Sequence, residues 1–339
     1  MKYSRSKMKV VSLFDGISCC RVALEGRKET IEYYASEIDK NALKVSQKNY
    51  PLIKQLGNVC DISGLTGVDL LVGGSPCVDL SIGKKGRKGL LGTHSKLFWE
   101  FVRILEETKP TYFVFENVAS MPEKDRWAIT ERLKVVPIMI NADLVSAQCR
   151  KRFFWTNIPN VVLPEDRKIG IHSILEAPSD AVWRGVSIRG RKVGEKWVNK
   201  KDVRKDDKTS ALTSSCSAKL ALVGRLVNRR LDKDGNRHDG DHAVAQTTVF
   251  EPRTDGKSGT LTGFIKDNMV LEESSVRQLT PIECERLMGL PDNYTEGIAK
   301  TARYRCIGNA FSVPVMRHIL SFIPCSHGVL PSACAFCRF

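Results

Sequence analysis

The segment Gly73-Gly74-Ser75-Pro76-Cys77-Val78-Asp79-Leu80-Ser81 follows the apolar run Val68-Asp69-Leu70-Leu71-Val72 and presents a cysteine behind two glycines and a proline. A cysteine that only fills a core needs no such preparation. The glycines open space beside Cys77 and Pro76 restricts its backbone, which suits a thiolate offered to a substrate; even a small ionised fraction is strongly nucleophilic. Glu116 closes the apolar stretch Tyr112-Phe113-Val114-Phe115. A partly desolvated carboxyl there can hold and deliver a proton, with a solvated strand end as the plain alternative. In Gln148-Cys149-Arg150-Lys151-Arg152, the residues Gln148, Arg150 and Arg152 alternate, so in a strand all three share one face. Such alternating cations describe either a site or a solvated edge.

A second group of residues concerns a ligand. The loop Phe14-Asp15-Gly16-Ile17-Ser18 follows the first apolar run, and its glycine lets the backbone approach a bound molecule. About 20 residues further on, at the end of the next strand, Glu37 can hold both hydroxyls of a ribose. Asp61, in Asn58-Val59-Cys60-Asp61-Ile62, can accept from an exocyclic amine. Each alone is a common loop residue. In successive loops the three describe an adenosine site.

The elements that must position these groups alternate. Strands are predicted at Val10–Phe14, Ile31–Ala35, Val68–Val72, Tyr112–Phe115 and Val135–Ile140. Helices are predicted between several of them: Lys40–Asn49 behind an Asp39 cap and ending before Pro51, and His94–Glu107 with one broad apolar face. The alternation predicts an α/β protein with a doubly wound, mostly parallel sheet, whose ligands sit at the carboxyl ends of the strands. Near 277 regular structure returns with a capped helix: Thr280 as cap, Pro281 in the first turn, Glu283 closing a capping box, and Gly289-Leu290-Pro291 as the stop.

Composition narrows the partners. The chain has 339 residues, enough for two domains, with 42% hydrophobic and 27% charged residues as in a soluble globular protein. A net charge of +15 favours a polyanionic partner, nucleic acid before membrane surface. Residues 181–260 carry 18 Lys/Arg against 10 Asp/Glu, so more than half of that excess lies there. The same interval echoes itself weakly in Lys208-Thr-Ser-Ala-Leu-Thr213 and Lys257-Ser-Gly-Thr-Leu-Thr262. Eleven cysteines without a framework spacing point to a reducing compartment, the cytoplasm. The basic N-terminal stretch meets Asp15 before a signal-peptide core forms, and no apolar run approaches the roughly 20 residues of a membrane span. In the tail, Cys325, His327, Cys334 and Cys337 include only one pair at zinc spacing, so no metal is expected.

In this order the pieces resemble the DNA (cytosine-5) methyltransferases, from about Val10 to Ile323. Phe14–Ser18 resembles that family's first cofactor loop, Ser36-Glu37-Ile38-Asp39 its ribose-binding acid and Asn58–Ile62 its adenine contact. Gly74-Ser75-Pro76-Cys77 matches the nucleophile loop, Phe115-Glu116-Asn117-Val118 the catalytic glutamate, and Gln148–Arg152 the Gln-x-Arg-x-Arg strand. Leu279–Tyr294 and Arg305–Val315 match two late motifs, the second supplying Asn309 and Ala310 beside the cofactor. Two departures stand out. Ser18-Cys19 replaces a common glycine pair, which bears on cofactor affinity. Val78-Asp79-Leu80-Ser81, with Arg87-Lys88-Gly89-Leu90 downstream, resembles the de novo branch known from animals.

The resemblance implies a class I S-adenosylmethionine-dependent methyltransferase fold with a smaller target-recognition domain. It divides the chain into a catalytic domain at 1–165, a recognition domain at 166–275, a return to the catalytic domain at 276–323 and a tail at 324–339. It implies methyl transfer from S-adenosylmethionine to carbon 5 of a cytosine flipped out of duplex DNA. Cys77 would add to carbon 6, Glu116 would protonate ring N3, Arg152 would hold O2, and Arg150 completes the catalytic set. Phe14, Asp15, Gly16, Ile17, Glu37, Ile38, Asp61, Ile62, Pro76, Asn309 and Ala310 would hold the cofactor. Ser81, Arg87, Gln148, Arg225, Arg229, Arg230, Arg253 and Thr262 would meet DNA, the turns around Thr213 and Thr262 lying near the flipped base. A monomer with a cognate restriction enzyme is the expected setting. A tRNA methyltransferase and a non-catalytic DNA-binding relative are the alternatives; a binding module has no use for Cys77, Glu116 and Arg152 together.

Overall fold

The computed structural model describes residues 7–76, 97–176, 186–193, 196–203, 222–232, 246–253, 255, 257–261, 269–272 and 275–324. Its first part alternates strands and helices: β1 (Lys7–Leu13), α1 (Cys19–Ala23), β2 (Thr30–Ser36), α2 (Lys40–Asn49), β3 (Lys54–Gln55), β4 (Leu70–Gly73), α3 (Leu97–Thr108), β5 (Tyr112–Val118), α4 (Glu123–Leu133), β6 (Ile138–Asn141) and β7 (Lys151–Thr156). These strands form one seven-stranded sheet in the order β3-β2-β1-β4-β5-β7-β6. Pairing is parallel from β3 through β5, and β7 runs antiparallel to both of its neighbours. This is the doubly wound, mostly parallel sheet expected from the alternation.

The strands are apolar on both faces because both faces are covered. Val10, Leu70, Val72 and Val114 enter one core with α1, α2 and the C-terminal helices. Val11, Leu13, Leu71, Phe113 and Phe115 enter a second core with α3 and α4. Adjacent residues thus separate into opposite layers, as the two-residue period of a strand requires. The second core is largely aromatic: Phe115 lies 4.8 Å from Phe101, 5.2 Å from Phe98 and 5.9 Å from Trp155 between ring centroids.

Local signals in the sequence account for several boundaries. Helix α2 spans Lys40–Asn49 as expected, and the Asp39 carboxylate accepts from the amides of Asn41 and Ala42. The capping box at Thr280 and Glu283 is present in both directions and opens α5 (Pro281–Leu287). Other boundaries move. β1 stops at Leu13 because Phe14 turns into the left-handed region at φ 57°. β5 runs on through Val118, three residues beyond the expected end, so Glu116 lies within the strand.

The interval read as basic, 181–260, and the residues that follow it to 278 contribute strands. β8 (Val186–Val193) pairs antiparallel with β9 (Lys196–Val203). β10 (Leu222–Arg230), β11 (Gln246–Pro252), β12 (Met269–Glu272) and β13 (Ser275–Gln278) form a four-stranded antiparallel sheet in the order β11-β10-β12-β13. The chain then returns to the first core through α5, α6 (Lys300–Asn309) and α7 (Val313–Leu320), with α7 packed on α1. Among the described residues no helix is long and apolar enough to cross a membrane.

Candidate active site

The site is built at the carboxyl edge of the parallel strands. After β1, the loop 14–18 has left-handed backbone at Phe14, Gly16 and Ser18. Only glycine takes that conformation without steric cost, and a Cβ on Gly16 would meet nothing within 4 Å, so the space above it is open. After β2, Glu37 fixes the loop from the other side. One carboxylate oxygen accepts from the Gly16 amide at 2.8 Å, and the other accepts from Ile38 and Asp39, each at 2.8 Å. Beside it Ile38 is 70% exposed, an apolar side chain with no core to fill. Asp61 ends a short 3-10 turn, Val59–Asp61, and is exposed, while Ile62 behind it is buried. Asn309, the last residue of α6, is exposed and Ala310 is buried.

An open glycine, a carboxylate held at a strand end, an exposed apolar face and an exposed carboxylate fit an adenosine-containing group. Other residues assigned to the cofactor point elsewhere. The Asp15 carboxylate is buried, accepting from Ser18 Oγ and Tyr33 Oη at 2.6 Å each. Burial pushes its pKa up to about 6. Ile17 is fully buried, and its carbonyl accepts from Tyr294 Oη at 2.7 Å.

At the antiparallel corner, β5 carries Glu116 and β7 carries Arg152. Arg152 Nε lies 2.8 Å from Glu116 Oε1, with the two side chains only 15% and 13% exposed. A small cavity beside the pair is lined in part by Phe311 and Ser312. The loop after β4 reaches the same place. Asn117 Nδ2 donates to the carbonyl and hydroxyl of Ser75 at 3.4 and 3.3 Å, and Pro76 follows, half-buried. Cys77, Ser81 and Arg87 lie outside the described residues, as do Thr213, Thr262 and the cysteines of the tail. The glycines before Cys77 do not open space, as the sequence suggested. A Cβ on Gly73 would come within 2.8 Å of Phe101, and one on Gly74 within 2.9 Å of Phe311 and 3.1 Å of Glu116 Oε2. Gly73 lets β4 pack directly on Phe101, and Gly74 lets the loop backbone lie against Phe311 and Glu116.

The three alternating residues before β7 divide in a way their spacing does not show. The strand begins at Lys151, so only Arg152 belongs to it. Arg150 is 3% exposed and donates to the carbonyls of Leu261, Gly308 and Ala310 at 2.9–3.2 Å. Gln148 is fully buried and bridges to Ser258 through its backbone. Gln148 reaches no surface, whereas Arg150 still lines the small cavity beside Glu116 and Arg152. The reason is a segment the sequence did not connect: residues 257–261 lie along 146–150. Cys149 N donates to Ser258 O, Ser258 N to Ala147 O, Thr260 Oγ1 to Cys149 O, and Lys257 Nζ to Asp143 O.

On the antiparallel sheet, Arg229 pairs with Glu251 at 2.7 Å, and Arg253 pairs with Asp255. Arg230 is half-buried on β10, and Arg225 lies on the same strand. Of the five arginines assigned to DNA, Arg229 and Arg253 thus already face a carboxylate. Among the described residues no cluster of three or more His, Cys, Asp or Glu could hold a metal ion.

A sequence model of the C-5 cytosine-specific DNA methylases matches residues 8–325. The chain belongs to this family. Relatives in it include the type II methyltransferase M.Sau3AI of Staphylococcus aureus, 26% identical over 93% of this chain and 95% of its own length. The orphan methyltransferase M.Rho11sI of Bacillus phage rho11s is 31% identical over 73% of this chain and 58% of its own. The type II methyltransferase M.HhaI of Haemophilus parahaemolyticus is 24% identical over 92% and 93%. Among solved structures, a DNA modification methyltransferase encoded within an Escherichia coli prophage superposes with a TM-score of 0.57 at 21% identity, covering 93% of this chain and 98% of that one. The Spodoptera frugiperda DNMT2 does so at 0.56 and 16%, covering 93% and 99%. These two share the fold. Enzymes of the family take their methyl group from S-adenosylmethionine and act on cytosine through a covalent intermediate.

Proposed function

We propose that this cytosine-5 methyltransferase acts on duplex DNA with Cys77 as nucleophile, Glu116 as proton donor and Arg152 as the cation at the base. The observation that carries this reading is the corner where β4, β5 and β7 meet. The Glu116–Arg152 pair stands 2.8 Å apart, and the backbone leading to Cys77 rests against it at Gly74 and Ser75. A thiolate entering from Pro76 would meet a substrate ring already facing a carboxyl and a guanidinium.

The ring dictates the division of labour. Carbon 5 of cytosine is a poor nucleophile until the Cys77 thiolate adds to carbon 6 and makes the ring enamine-like. Glu116 offsets the charge of that addition by placing a proton on N3, and Arg152 donates to O2. S-adenosylmethionine, when bound, supplies the methyl group that carbon 5 receives. Gly16, Glu37, Ile38, Asp61 and Asn309 would hold it: Glu37 the ribose hydroxyls, Ile38 the face of the adenine and Asp61 its amine. Loss of the carbon 5 proton to water then lets Cys77 leave, and the ring returns its N3 proton to Glu116. Because these atoms are stacked inside a duplex, the cytosine must be flipped out.

The sheet β11-β10-β12-β13 and the basic interval around it are the proposed reader of the DNA sequence, since the catalytic sheet engages only cofactor and target base. The type II names among the relatives favour a chain that protects sites from a cognate restriction enzyme. Methyl transfer from labelled S-adenosylmethionine to DNA and to tRNA tests the substrate directly. With DNA carrying 5-fluorocytosine the wild type should be trapped covalently at Cys77, and Cys77→Ser should neither trap nor methylate. Trapping at another cysteine, or methylation of tRNA alone, overturns the assignment.

A further inference from the structure

The cofactor loop contains a residue whose backbone and side chain pull in different directions. Ser18 adopts φ 63° and ψ 36°, the left-handed conformation that a Cβ disfavours, although it precedes α1 where serine ordinarily caps in extended backbone. Its hydroxyl does not cap the helix. It is turned inward, 2.6 Å from Asp15 Oδ2 and 2.7 Å from Ser46 Oγ, and fully buried. An ionised carboxylate only accepts, so the single proton of Ser18 goes to Asp15 and Ser46 must donate to Ser18. Gln55 Nε2 lies 3.4 Å from Ser46 Oγ, and Tyr33 donates to the other oxygen of Asp15. The result is a directed chain, Gln55 to Ser46 to Ser18 to Asp15, met by Tyr33 from the far side. It joins β3, α2, the 14–18 loop and β2.

That chain lies beneath the two groups assigned to S-adenosylmethionine. Gly16 is two residues before Ser18, and its amide is bonded to Glu37. Glu37 precedes the Asp39 cap of α2, the helix that carries Ser46. The loop and the Glu37 turn are therefore tied twice, by Gly16 to Glu37 above and by Ser18 to Ser46 below. We propose that Ser18 is a positioning residue for the cofactor: shared between Asp15 and Ser46, its hydroxyl holds the left-handed turn of the 14–18 loop and fixes that loop against the Glu37 turn. Ser18 touches no substrate; it acts through Gly16 and Glu37. The proposal rests on the reading that this loop binds S-adenosylmethionine.

The test separates conformation from hydrogen bonding by comparing Ser18→Ala, Ser18→Gly and Ser46→Ala with the wild type. For each, KM for S-adenosylmethionine, KM for DNA and kcat at saturation are measured, with the melting temperature as a check on folding. Ser18→Ala keeps the disfavoured turn and loses both bonds, so KM for S-adenosylmethionine should rise about tenfold with KM for DNA unchanged. Ser18→Gly adopts the turn freely and should recover most of that loss. Ser46→Ala should raise the same KM by a smaller factor, and adding it to Ser18→Ala should change little further. If Ser18→Ala does not fold, Ser18→Gly and Ser46→Ala still decide. An unchanged KM for S-adenosylmethionine in Ser46→Ala, a Ser18→Gly enzyme no better than Ser18→Ala, or equal losses toward DNA and cofactor overturns the proposal. A wild type that neither binds S-adenosylmethionine nor methylates DNA overturns the functional reading and this proposal with it, whereas failure in the variants alone leaves the functional reading intact.

Discussion

At the proposed cofactor site after β2, Glu37 is held by three backbone amides; at the antiparallel corner, Glu116 is held by one guanidinium. Amides belong to the chain itself, so the place of Glu37 is set by the turn and cannot change unless the loop is remade. A guanidinium rides on a long side chain, so the partner of Glu116 can be exchanged for a substrate ring. The first arrangement suits a carboxylate that must be waiting for a ligand's hydroxyls. The second suits one that must gain and lose a proton during turnover. The same contrast separates two arginines two residues apart: Arg150 is locked on three carbonyls, and Arg152 is paired with the Glu116 carboxylate.

The contrast can be broken most directly at Glu116. Glu116→Gln keeps the shape and removes the acid, so kcat should fall on the order of 10²–10⁴-fold in single-turnover methylation with folding preserved. Near-normal turnover would reduce Glu116 to a structural partner of Arg152. Next in size, Arg150→Met leaves buried carbonyls without a donor and should cost roughly 3–5 kcal/mol of stability in urea unfolding. Arg152→Met leaves one nearly buried carboxylate without its cation and should cost less, roughly 1–3 kcal/mol, while slowing methylation. Comparable stability losses for the two would erase the distinction between them.

Smaller effects sharpen the cofactor side. Glu37→Gln replaces one amide acceptor with a donor and should raise KM for S-adenosylmethionine roughly tenfold, about 1.4 kcal/mol, leaving kcat nearly intact. An effect on kcat alone would place Glu37 outside the cofactor site. The smallest concerns pH. Asp15 has a folded pKa raised to about 6 from 3.8, so the folded state binds the proton more tightly than the unfolded one. Its contribution is therefore complete below about pH 4 and lost as pH rises through 6. Relative to Asp15→Asn, the wild type should lose about 1 kcal/mol of stability between pH 5 and pH 8. A difference between the two proteins that does not vary with pH would show that Asp15 does not titrate in this range.

The sheet and the helices around it were legible because their signals are local: an Asp39 cap, a Thr280–Glu283 box, apolar runs of strand length. Glu37 and Glu116 stood out for the same reason, since each follows an apolar run, although β5 continues past Glu116 to Val118. What the sequence left unread depends on distant partners. Gln148, Arg150 and Arg152 look alike in a period-two pattern, and only Leu261, Gly308 and Ala310 reveal that Arg150 is internal. Gly73 and Gly74 read as looseness until Phe101, Phe311 and Glu116 occupy the room their side chains would need. The strands after Val186 escaped notice because charge and turn residues obscure their alternation. Ser18 was visible as a departure from glycine, but not its partner Ser46, 28 positions away on another helix.

The stitching of residues 257–261 onto 146–150 has a consequence for how such a protein can change over time. It acts as a socket. The chain between β9 and Lys257 can lengthen, shorten or take on new contacts while its downstream end returns to the same carbonyls of Asp143, Ala147 and Cys149. If the sheet β11-β10-β12-β13 reads DNA as proposed, β10 and β11 can be remodelled upstream of this fixed point without moving Arg150 or the Glu116–Arg152 pair, while β12 and β13 resume the sheet beyond it.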